Sequence, residues 1–280
     1  MYLVRKSEEI GPQIQRIEVE APLIAKKVKP GQFVVIRTDE AGERIPLTVA
    51  SADQQEGTIT LVVQRVGKTT KKLASLKVGE QIKDVAGPSG MPADIRYFGT
   101  VVCVSGGVGN AIIYPEAKAF KEAGNRVLTL IGARSQAHYF FTDELEKVSD
   151  EVFYATDDGS FGHQGFVTDL LSELIAQGET IDLVVAIGPI MMMRAVAKVT
   201  EAKRIKTIVS LNPLMVDGTG MCGCCRVTVD GQVKFACVDG PEFDAHKVDF
   251  DELLARNLQY AEEEKRALEH SHKGRCACHG

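Results

Sequence analysis

This sequence lacks any stretch that is long and apolar enough to span a membrane. Its most apolar segment, Leu183 to Val199, is interrupted by Gly188, Pro189 and Arg194, whereas a transmembrane helix needs about 20 consecutive apolar residues. The first residues, MYLVRKSEE, carry charges where a signal peptide would have its apolar core. We therefore expect a cytoplasmic protein with no membrane span.

The sequence also lacks the excess of basic residues that nucleic-acid-binding proteins show. It contains 33 Lys and Arg against 38 Asp and Glu, which gives a net charge of −5 and a pI near 5.8. This balance argues against nucleic acid as a main partner. No pair of residues stands out as a general acid–base dyad, so a reaction that depends on one is not indicated.

Cysteine is scarce outside one short segment. Four of the seven cysteines lie between residues 222 and 237, which is typical of a metal site in a reducing compartment rather than of a disulfide framework. The spacing Asp217-x4-Cys222-x2-Cys225-x11-Cys237 is the plant-type 2Fe–2S signature with aspartate in place of the first cysteine. A carboxylate is a harder donor than a thiolate, so Asp217 is expected to tune such a cluster.

Two other interpretations of this segment stay open. The same four residues are a possible tetrahedral site for structural zinc. Asp217 is alternatively a turn residue, with a water or another group as the fourth ligand. Cys224 lies inside the loop but outside the ligand spacing, and we interpret it as a neighbour of the site.

Strand and helix patterns divide the 280 residues into four segments. Residues 1–97 show short apolar runs separated by Gly-, Pro- and charge-rich turns, which predicts a small antiparallel β barrel. Residues 98–210 alternate strand and helix patterns, which predicts an α/β domain with a parallel sheet and helices on both faces. Residues 211–248 are the cluster module, and residues 249–280 are predicted to form a helix and a tail.

Two barrel segments are candidates for binding a flavin nucleotide. In RIPLT at residues 44–48, an arginine able to clamp a phosphate precedes a proline-stiffened strand that can face a flat ring. In VGKTT at residues 66–70, a glycine turn exposes consecutive N–H groups suited to a pyrophosphate. Each signal alone is weak, since a turn arginine and a polar glycine turn are both common.

Four predicted strand ends in the α/β segment carry residues suited to a nucleotide. SGGVGN at 105–110 follows a strand and opens a helix, where glycine lets a phosphate approach backbone N–H groups. The other three are GARS at 132–135, TDDGS at 156–160 and the dipeptide Gly188-Pro189. Ligands bind at the carboxyl ends of strands in an open parallel sheet. The joint occurrence of these four motifs at strand ends therefore predicts a nucleotide site, although the full G-x-G-x-x-G is not present.

Taken in this order, the motifs resemble those of the ferredoxin–NADP reductase superfamily over nearly the whole chain. The most similar branch carries a C-terminal 2Fe–2S module, as in the electron-transfer subunit of dihydroorotate dehydrogenase. Two departures are Ile187, where the superfamily usually has cysteine, and Asp217, where that subunit has a cluster cysteine. These make the chain resemble most closely the small subunits of NADH-dependent reduced ferredoxin:NADP⁺ oxidoreductases, often labelled sulfide dehydrogenase beta subunits.

The resemblance implies a six-stranded flavin-binding barrel and three cofactors: FAD, NAD(H) and a 2Fe–2S cluster. The residues it implies for FAD are Arg44, Pro46, Leu47, Thr48, Gln64, Val66, Gly67, Thr69 and Thr70. Those it implies for NAD(H) are Gly106, Gly107, Val108, Gly109, Arg134, Asp157, Asp158, Gly188 and Pro189. Those it implies for the cluster are Asp217, Cys222, Cys225 and Cys237.

The implied activity is electron transfer, with hydride passing between nicotinamide and flavin and single electrons passing through the cluster. The implied partner is a larger iron–sulfur flavoprotein subunit, in a heterodimer that performs electron bifurcation. An electron-transfer subunit of dihydroorotate dehydrogenase is one alternative, and a redox-sensing module without turnover is another. The choice between NADH and NADPH stays open, since Arg134-Ser135 is able to receive a 2′-phosphate. The terminal RCACH at 275–279 is interpreted as an incidental tail.

Overall fold

The computed structural model describes residues 1–273 of the chain. Its strands are β1 (Tyr2–Gly11), β2 (Ile14–Glu20), β3 (Phe33–Arg37), β4 (Arg44–Asp53), β5 (Thr58–Gln64), β6 (Gln81–Ile82), β7 (Asp84–Ser89), β8 (Thr100–Gly106), β9 (Arg126–Ala133), β10 (Glu151–Thr156), β11 (His163–Gln164), β12 (Leu183–Ile187), β13 (Thr207–Ser210), β14 (Arg226–Val229), β15 (Gln232–Phe235) and β16 (Glu242–Asp244). Its helices are α1 (Pro22–Ala25), α2 (Lys68–Ala74), α3 (Gly109–Glu122), α4 (Thr142–Val148), α5 (Val167–Ala176), α6 (Ile190–Glu201), α7 (Phe250–Asn257) and α8 (Ala261–Lys273). Within residues 1–273, no helix has the length and apolar character that crossing a bilayer requires. Cys276 and Cys278 of the predicted tail lie outside the described residues.

The N-terminal strands form one antiparallel sheet in the order β6-β1-β2-β5-β4-β3-β7. Its two end strands, β6 and β7, are separated along the chain by Lys83 alone. A single bent segment therefore pairs with β1 at one end of the sheet and with β3 at the other, which nearly closes the sheet into a barrel. The predicted antiparallel barrel-type sheet is confirmed. Its strand number is six or seven, depending on whether β6 and β7 are counted as one bent strand.

Alternating side chains fill this barrel. Ile17 on β2, with Ile59 and Leu61 on β5, is fully buried in the barrel core. The intervening Glu18 and Thr60 are only half-buried. This period of two is what an antiparallel sheet with one face toward the core requires, and it is the pattern from which the barrel was predicted.

The second sheet runs in the order β11-β10-β9-β8-β12-β13-β16 and is parallel except for the pair β13–β16. Both of its faces are covered. Along β8, Val102 and Val104 lie in one core, with α5 and α6, whereas Val101 and Cys103 lie in the other, with α3 and α4. The predicted parallel sheet between helical layers is confirmed.

The strand order places a crevice at the carboxyl ends of β8 and β12. From β8 the chain moves outward through β9, β10 and β11, then returns to the other side of β8 to form β12. The connections that follow β8 and β12 therefore leave the sheet in opposite directions, and ligands bind in open α/β sheets at such a switch point.

The C-terminal segment is built onto this sheet. β14 and β15 form the two-stranded hairpin that the sequence predicts between Cys225 and Cys237. β16 lies within residues 211–248 but pairs with β13, so part of this segment completes the second sheet. Cys225 and Cys237 share one core with Val209 of β13. The cluster segment is thus continuous with the packing of the nucleotide sheet.

Candidate cofactor sites

The predicted flavin strand is β4, which lies between β5 and β3 in the barrel sheet. Arg44 is exposed, and Pro46, Leu47 and Thr48 are half-buried. No salt bridge within residues 1–269 includes Arg44, whereas Arg37, its partner on β3, pairs with Glu40 and Asp84. An exposed, unpaired guanidinium is free to take a phosphate in bidentate geometry.

The predicted phosphate turn lies beside this strand. Gly67 precedes α2, and its N–H donates to the Thr70 hydroxyl at 2.9 Å. The Thr69 hydroxyl donates to the Glu43 carboxylate at 2.9 Å, so Glu43, the neighbour of Arg44, ties the turn to the flavin strand. The structure therefore brings the two flavin motifs together. Val66 and Gln64 are exposed at the same end of β5.

Glu43 is a neighbour of the predicted phosphate turn that the sequence analysis missed. A pyrophosphate at this turn would repel the Glu43 carboxylate and favour its turning away from Thr69. The Thr69 hydroxyl would then be free to donate to the phosphate. The contact between Glu43 and Thr69 is not readable from the sequence, because the flavin motif begins only at Arg44 and no local spacing links the two residues.

The predicted nucleotide loops after β8 and β12 are packed backbone to backbone. A Cβ atom on Gly109 would lie 2.1 Å from the Ile187 carbonyl oxygen, and one on Gly188 would lie 3.1 Å from the Gly106 oxygen. Only glycine permits this approach. Gly107 has φ +58°, is exposed, and a Cβ atom there would have no neighbour within 4 Å. This opening above the start of α3 is where a phosphate would have access to backbone N–H groups.

The loops after β9 and β10 are also joined. The Asp158 N–H donates to the Arg134 carbonyl at 3.3 Å, and the Gln136 N–H donates to the Ser160 hydroxyl at 2.8 Å. Hydrogen bonds from the Ser160 side chain and backbone lower the pKa of Asp158. Arg134, Asp157 and Asp158 are all exposed at this edge of the sheet.

Three aromatic rings next to these loops were not predicted as part of the site. Tyr139, Tyr154 and Phe161 contact one another edge to face, with ring centroids 5.2–5.9 Å apart. Burial, with the nearby Asp157 and Asp158 carboxylates, raises the pKa of Tyr139 to about 12. Tyr139 is therefore neutral at physiological pH, and its hydroxyl donates to the Ala155 carbonyl at 2.7 Å. In the sequence, only the position of Phe161 beside the TDDGS motif indicates this group of aromatic rings.

Two of the four predicted cluster ligands are adjacent. The Cys225 and Cys237 sulfur atoms lie 3.2 Å apart, and both residues are buried. Burial, together with Cys225, raises the pKa of the Cys237 thiol to about 12. A cationic iron centre is the kind of group that offsets this cost by holding the thiolate form.

The other two predicted ligands lie on the exposed side of the loop. The Cys222 sulfur accepts a hydrogen bond from the Cys224 N–H at 3.5 Å. Asp217 accepts hydrogen bonds from the Thr219 and Cys222 N–H groups, both at 2.9 Å. These bonds, the one from Thr219 above all, lower the pKa of Asp217, so it is a carboxylate at neutral pH.

The donor arrangement differs between the two metal interpretations. A tetrahedral zinc site needs four donors around one point. A two-iron cluster instead takes its donors as two pairs, one for each iron. Cys225 with Cys237 is suited to form one such pair, and Asp217 with Cys222 is the predicted second pair.

The cluster loop packs directly on the barrel strand next to the flavin motif. Gly218 has φ +73°, and a Cβ atom there would lie 2.6 Å from a methyl group of Val35. Val35 on β3 pairs with Pro46 of the flavin motif, and Phe33, two residues earlier on the same strand, pairs with Thr48. No local pattern indicates this contact, which places the cluster loop one strand away from the flavin segment.

Comparison with known proteins agrees with this geometry. Residues 2–93 match the oxidoreductase FAD-binding domain, and residues 212–249 match the iron–sulfur cluster binding domain of dihydroorotate dehydrogenase B. A Thermotoga maritima homologue of the electron transfer subunit of dihydroorotate dehydrogenase B (NAD⁺) is 49% identical, over 94% of this chain and 93% of its own length. A probable electron transfer subunit of dihydroorotate dehydrogenase B from Methanocaldococcus jannaschii is 35% identical, over 85% of this chain and 90% of its own.

One solved structure covers almost the same length. It is that of an NADH-dependent reduced ferredoxin-NADP oxidoreductase, described for flavin-based electron bifurcation. A chain of it is 47% identical to this one, with a TM-score of 0.92, over 96% of this chain and 97% of that chain.

Proposed function

Because this chain belongs to the family of dihydroorotate dehydrogenase B electron transfer subunits and their homologues, we propose that it passes electrons between NAD(H), FAD and a 2Fe–2S cluster. The observation that carries the proposal is the contact of Gly218 in the cluster loop with Val35, the strand partner of Pro46. Through this contact, a flavin held by β4 and a cluster held by the loop are neighbours. Electron transfer between them then needs no large movement of the chain.

Each group of residues has a definite task in this proposal. Arg44 and the turn at Gly67 hold the FAD phosphates, and Pro46 to Thr48 position its ring. Gly107 admits a phosphate of NAD(H), while Arg134 and Asp158 border the rest of the nucleotide. Bound FAD supplies the chemistry that converts a hydride into single electrons. Asp217, Cys222, Cys225 and Cys237 hold the cluster that receives them.

The division of the chain follows from these tasks. FAD is assigned to residues 1–97, NAD(H) to residues 98–210 and the cluster to residues 211–248. The helical segment that begins at residue 249 returns to the barrel, since α8 packs on α2, the helix after the phosphate turn. The segment from 249 onward thus connects the far end of the chain to the flavin-binding end.

A bifurcating ferredoxin:NADP⁺ oxidoreductase is the enzyme we favour. The 47% identity to a chain of that enzyme extends over both chains almost completely. Identity to the two relatives described above, which are named after the dihydroorotate dehydrogenase B subunit, is 49% and 35%, so the preference rests on Asp217, which stands where that subunit has a cluster cysteine. The electron transfer subunit of dihydroorotate dehydrogenase is the second candidate, which the match of residues 212–249 to its cluster domain supports.

A larger iron–sulfur flavoprotein is the partner we propose, in a heterodimer. Exposed apolar side chains surround the cluster loop: Met221 is 88% exposed, Val216 47% and Val238 46%. Apolar side chains grouped on a surface mark contacts with other proteins. A partner on this patch, defined as Val216, Met221 and Val238, would receive electrons directly from the cluster.

Anaerobic purification of the chain from its own cells, with mass spectrometry of the proteins that accompany it, tests the assignment. We expect a large iron–sulfur flavoprotein. A dihydroorotate dehydrogenase catalytic subunit would move the function to the second candidate. A chain that elutes alone, with its flavin and cluster, would contradict the heterodimer and leave an NAD(P)H reductase without a partner subunit.

A further inference from the structure

The carboxyl groups of Glu116 and Glu242 contact each other inside the protein. Glu116 lies in α3 and is 0% exposed, and Glu242 is the first residue of β16. Both oxygens of Glu116 and the Oε1 atom of Glu242 are buried and have no hydrogen-bond donor among the described residues. A buried carboxylate without a donor is strongly unfavourable, so some group must satisfy this pair.

The surroundings of the pair contain no compensating positive charge. Among residues 1–269, no lysine, arginine or histidine partners the buried oxygens of Glu116 or the Oε1 atom of Glu242. The charged and titratable groups that face them are the Asp94 carboxylate and the buried Cys103 thiol. Asp94 makes ionisation of Glu242 still less favourable. Each carboxyl group therefore has the other one as its main electrostatic neighbour.

A single proton resolves this arrangement. Two carboxylates in contact repel each other, and one carboxylic acid with one carboxylate does not. The acid then supplies the missing donor. Burial raises the pKa of both carboxyl groups, and the contact with Glu242 raises that of Glu116 further.

The pair lies where three parts of the chain meet. α3 belongs to the nucleotide sheet, and β16 follows the cluster segment and the Gly240-Pro241 turn. Gly31, at the turn before β3 of the barrel, is so close that a Cβ atom there would lie 3.0 Å from Glu242 Oε1. Whatever changes the charge of this pair acts on the contact between all three parts.

We propose that Glu116 and Glu242 form a buried proton-binding site, in which one proton bridges the two carboxyl groups and joins α3 to β16 and the barrel turn at Gly31. A metal ion fits the site formed by the two carboxyl groups less well than a proton does. No group of three His, Cys, Asp or Glu side chains is assembled in the part of the chain that the structure describes, and divalent ions in proteins take more oxygen donors than this pair offers.

The sign of the pH dependence follows from the direction of the shift. The pKa of Glu116 is higher in the folded protein than its unfolded value of 4.5. The stability that the protonated pair contributes is therefore fully present below pH 4.5. Stability is then lost progressively as the pH rises through the folded pKa of the pair. Replacing Glu116 by glutamine keeps the donor and removes the proton that can be lost, so E116Q is expected to resist high pH better than the wild type.

Thermal unfolding of the full-length holoprotein between about pH 5 and pH 9 tests this site. The variants are E116Q, E242Q and the double variant, and E122Q is the control because Glu122 is exposed on the same helix. At the high end of the range, E116Q is expected to melt about 3–6 °C above the wild type. The difference should vanish at the low end, and E122Q should follow the wild type throughout.

Three results would overturn the proposal. One is a wild type and an E116Q that lose stability in parallel as the pH rises. A second is additivity of E116Q and E242Q in the double variant, since a shared proton couples the two residues. A third is stabilisation of the wild type, but not of E116Q, by added Na⁺, K⁺, Mg²⁺ or Ca²⁺, which would make the ligand a cation.

Infrared spectroscopy gives an independent readout that does not depend on folding stability. A protonated carboxylic acid has a carbonyl stretch well separated from that of a carboxylate. At neutral pH we expect this band in the wild type and its loss in E116Q, with no change in E122Q. An unchanged band in E116Q would assign the proton to another group and contradict the proposal.

Discussion

Asp217 stands where plant-type 2Fe–2S proteins have a cysteine, and two backbone N–H groups of its own loop hold its carboxylate. Hydrogen bonding of this kind orients a metal ligand and tunes its electronics. It also explains how the loop is shaped before any metal binds. The residue therefore has both a structural task and, in our proposal, a ligand task.

Replacing Asp217 with cysteine separates these tasks. If the carboxylate is an iron ligand, D217C changes the visible absorption and electron paramagnetic resonance of the anaerobically purified protein, because a thiolate is a softer donor. T219C is the matched control, since it adds a thiol two residues further along the same loop, outside the ligand spacing. A D217C spectrum identical to the wild type would remove Asp217 from the ligand set.

At the scale of a single element, the cluster loop depends on Gly218. Alanine there meets a positive φ and a Cβ position 2.6 Å from Val35. Gly231 in the β14–β15 turn has a similar φ of +70° but open space around it. We expect G231A to lower the free energy of unfolding by about 1–2 kcal/mol and G218A by about 2–5 kcal/mol.

Urea unfolding measures the free energy of unfolding of G218A and G231A. Both variants carry backbone strain but only G218A also meets Val35, so the difference between the two values reports the packing of the loop on the barrel. G218A should in addition slow the reduction of the cluster by NADH, whereas G231A should not. Equal losses of stability in both variants would show that the contact with Val35 contributes little.

A second prediction about a single element concerns the loop after β8. Gly107 and Gly178 both have positive φ and nothing within 4 Å of an added Cβ, but only Gly107 lies at the crevice. G107A is expected to weaken NADH binding at least about tenfold, or 1.4 kcal/mol, because its methyl group occupies the phosphate approach. Titration of both variants with NADH is the measurement. An affinity of G107A equal to that of G178A would place the nucleotide elsewhere.

Local patterns predicted most of these elements, and contacts distant in sequence account for what was missed. The alternation along β5 and the spacing of Cys222 and Cys225 are readable within a few residues. The contact of Gly218 with Val35, and the meeting of Glu116 with Glu242, join residues more than a hundred positions apart. No periodicity or spacing encodes such pairs, because they arise only when β16 and the cluster loop pack on the two sheets.

For the molecule as a whole, we predict that electrons pass from the cluster to the partner subunit at the patch of Val216, Met221 and Val238. M221E should reduce co-purification of the partner subunit strongly, since a charge in the centre of an apolar contact is left unpaired. L23E is the control, because Leu23 is 78% exposed on the barrel, away from the cluster loop. Visible absorption must show an intact cluster in both variants. Undiminished partner recovery with M221E would place the interface elsewhere.

We propose that electrons from a nicotinamide reach the cluster through the flavin within this one chain. Anaerobic titration of the purified chain with NADH, followed by absorption at the flavin band and by electron paramagnetic resonance of the cluster, measures this transfer. We predict rapid flavin bleaching, followed by the signal of a reduced 2Fe–2S cluster. A flavin that stays oxidised in excess NADH and NADPH, or one that bleaches while the cluster stays oxidised, would contradict the account.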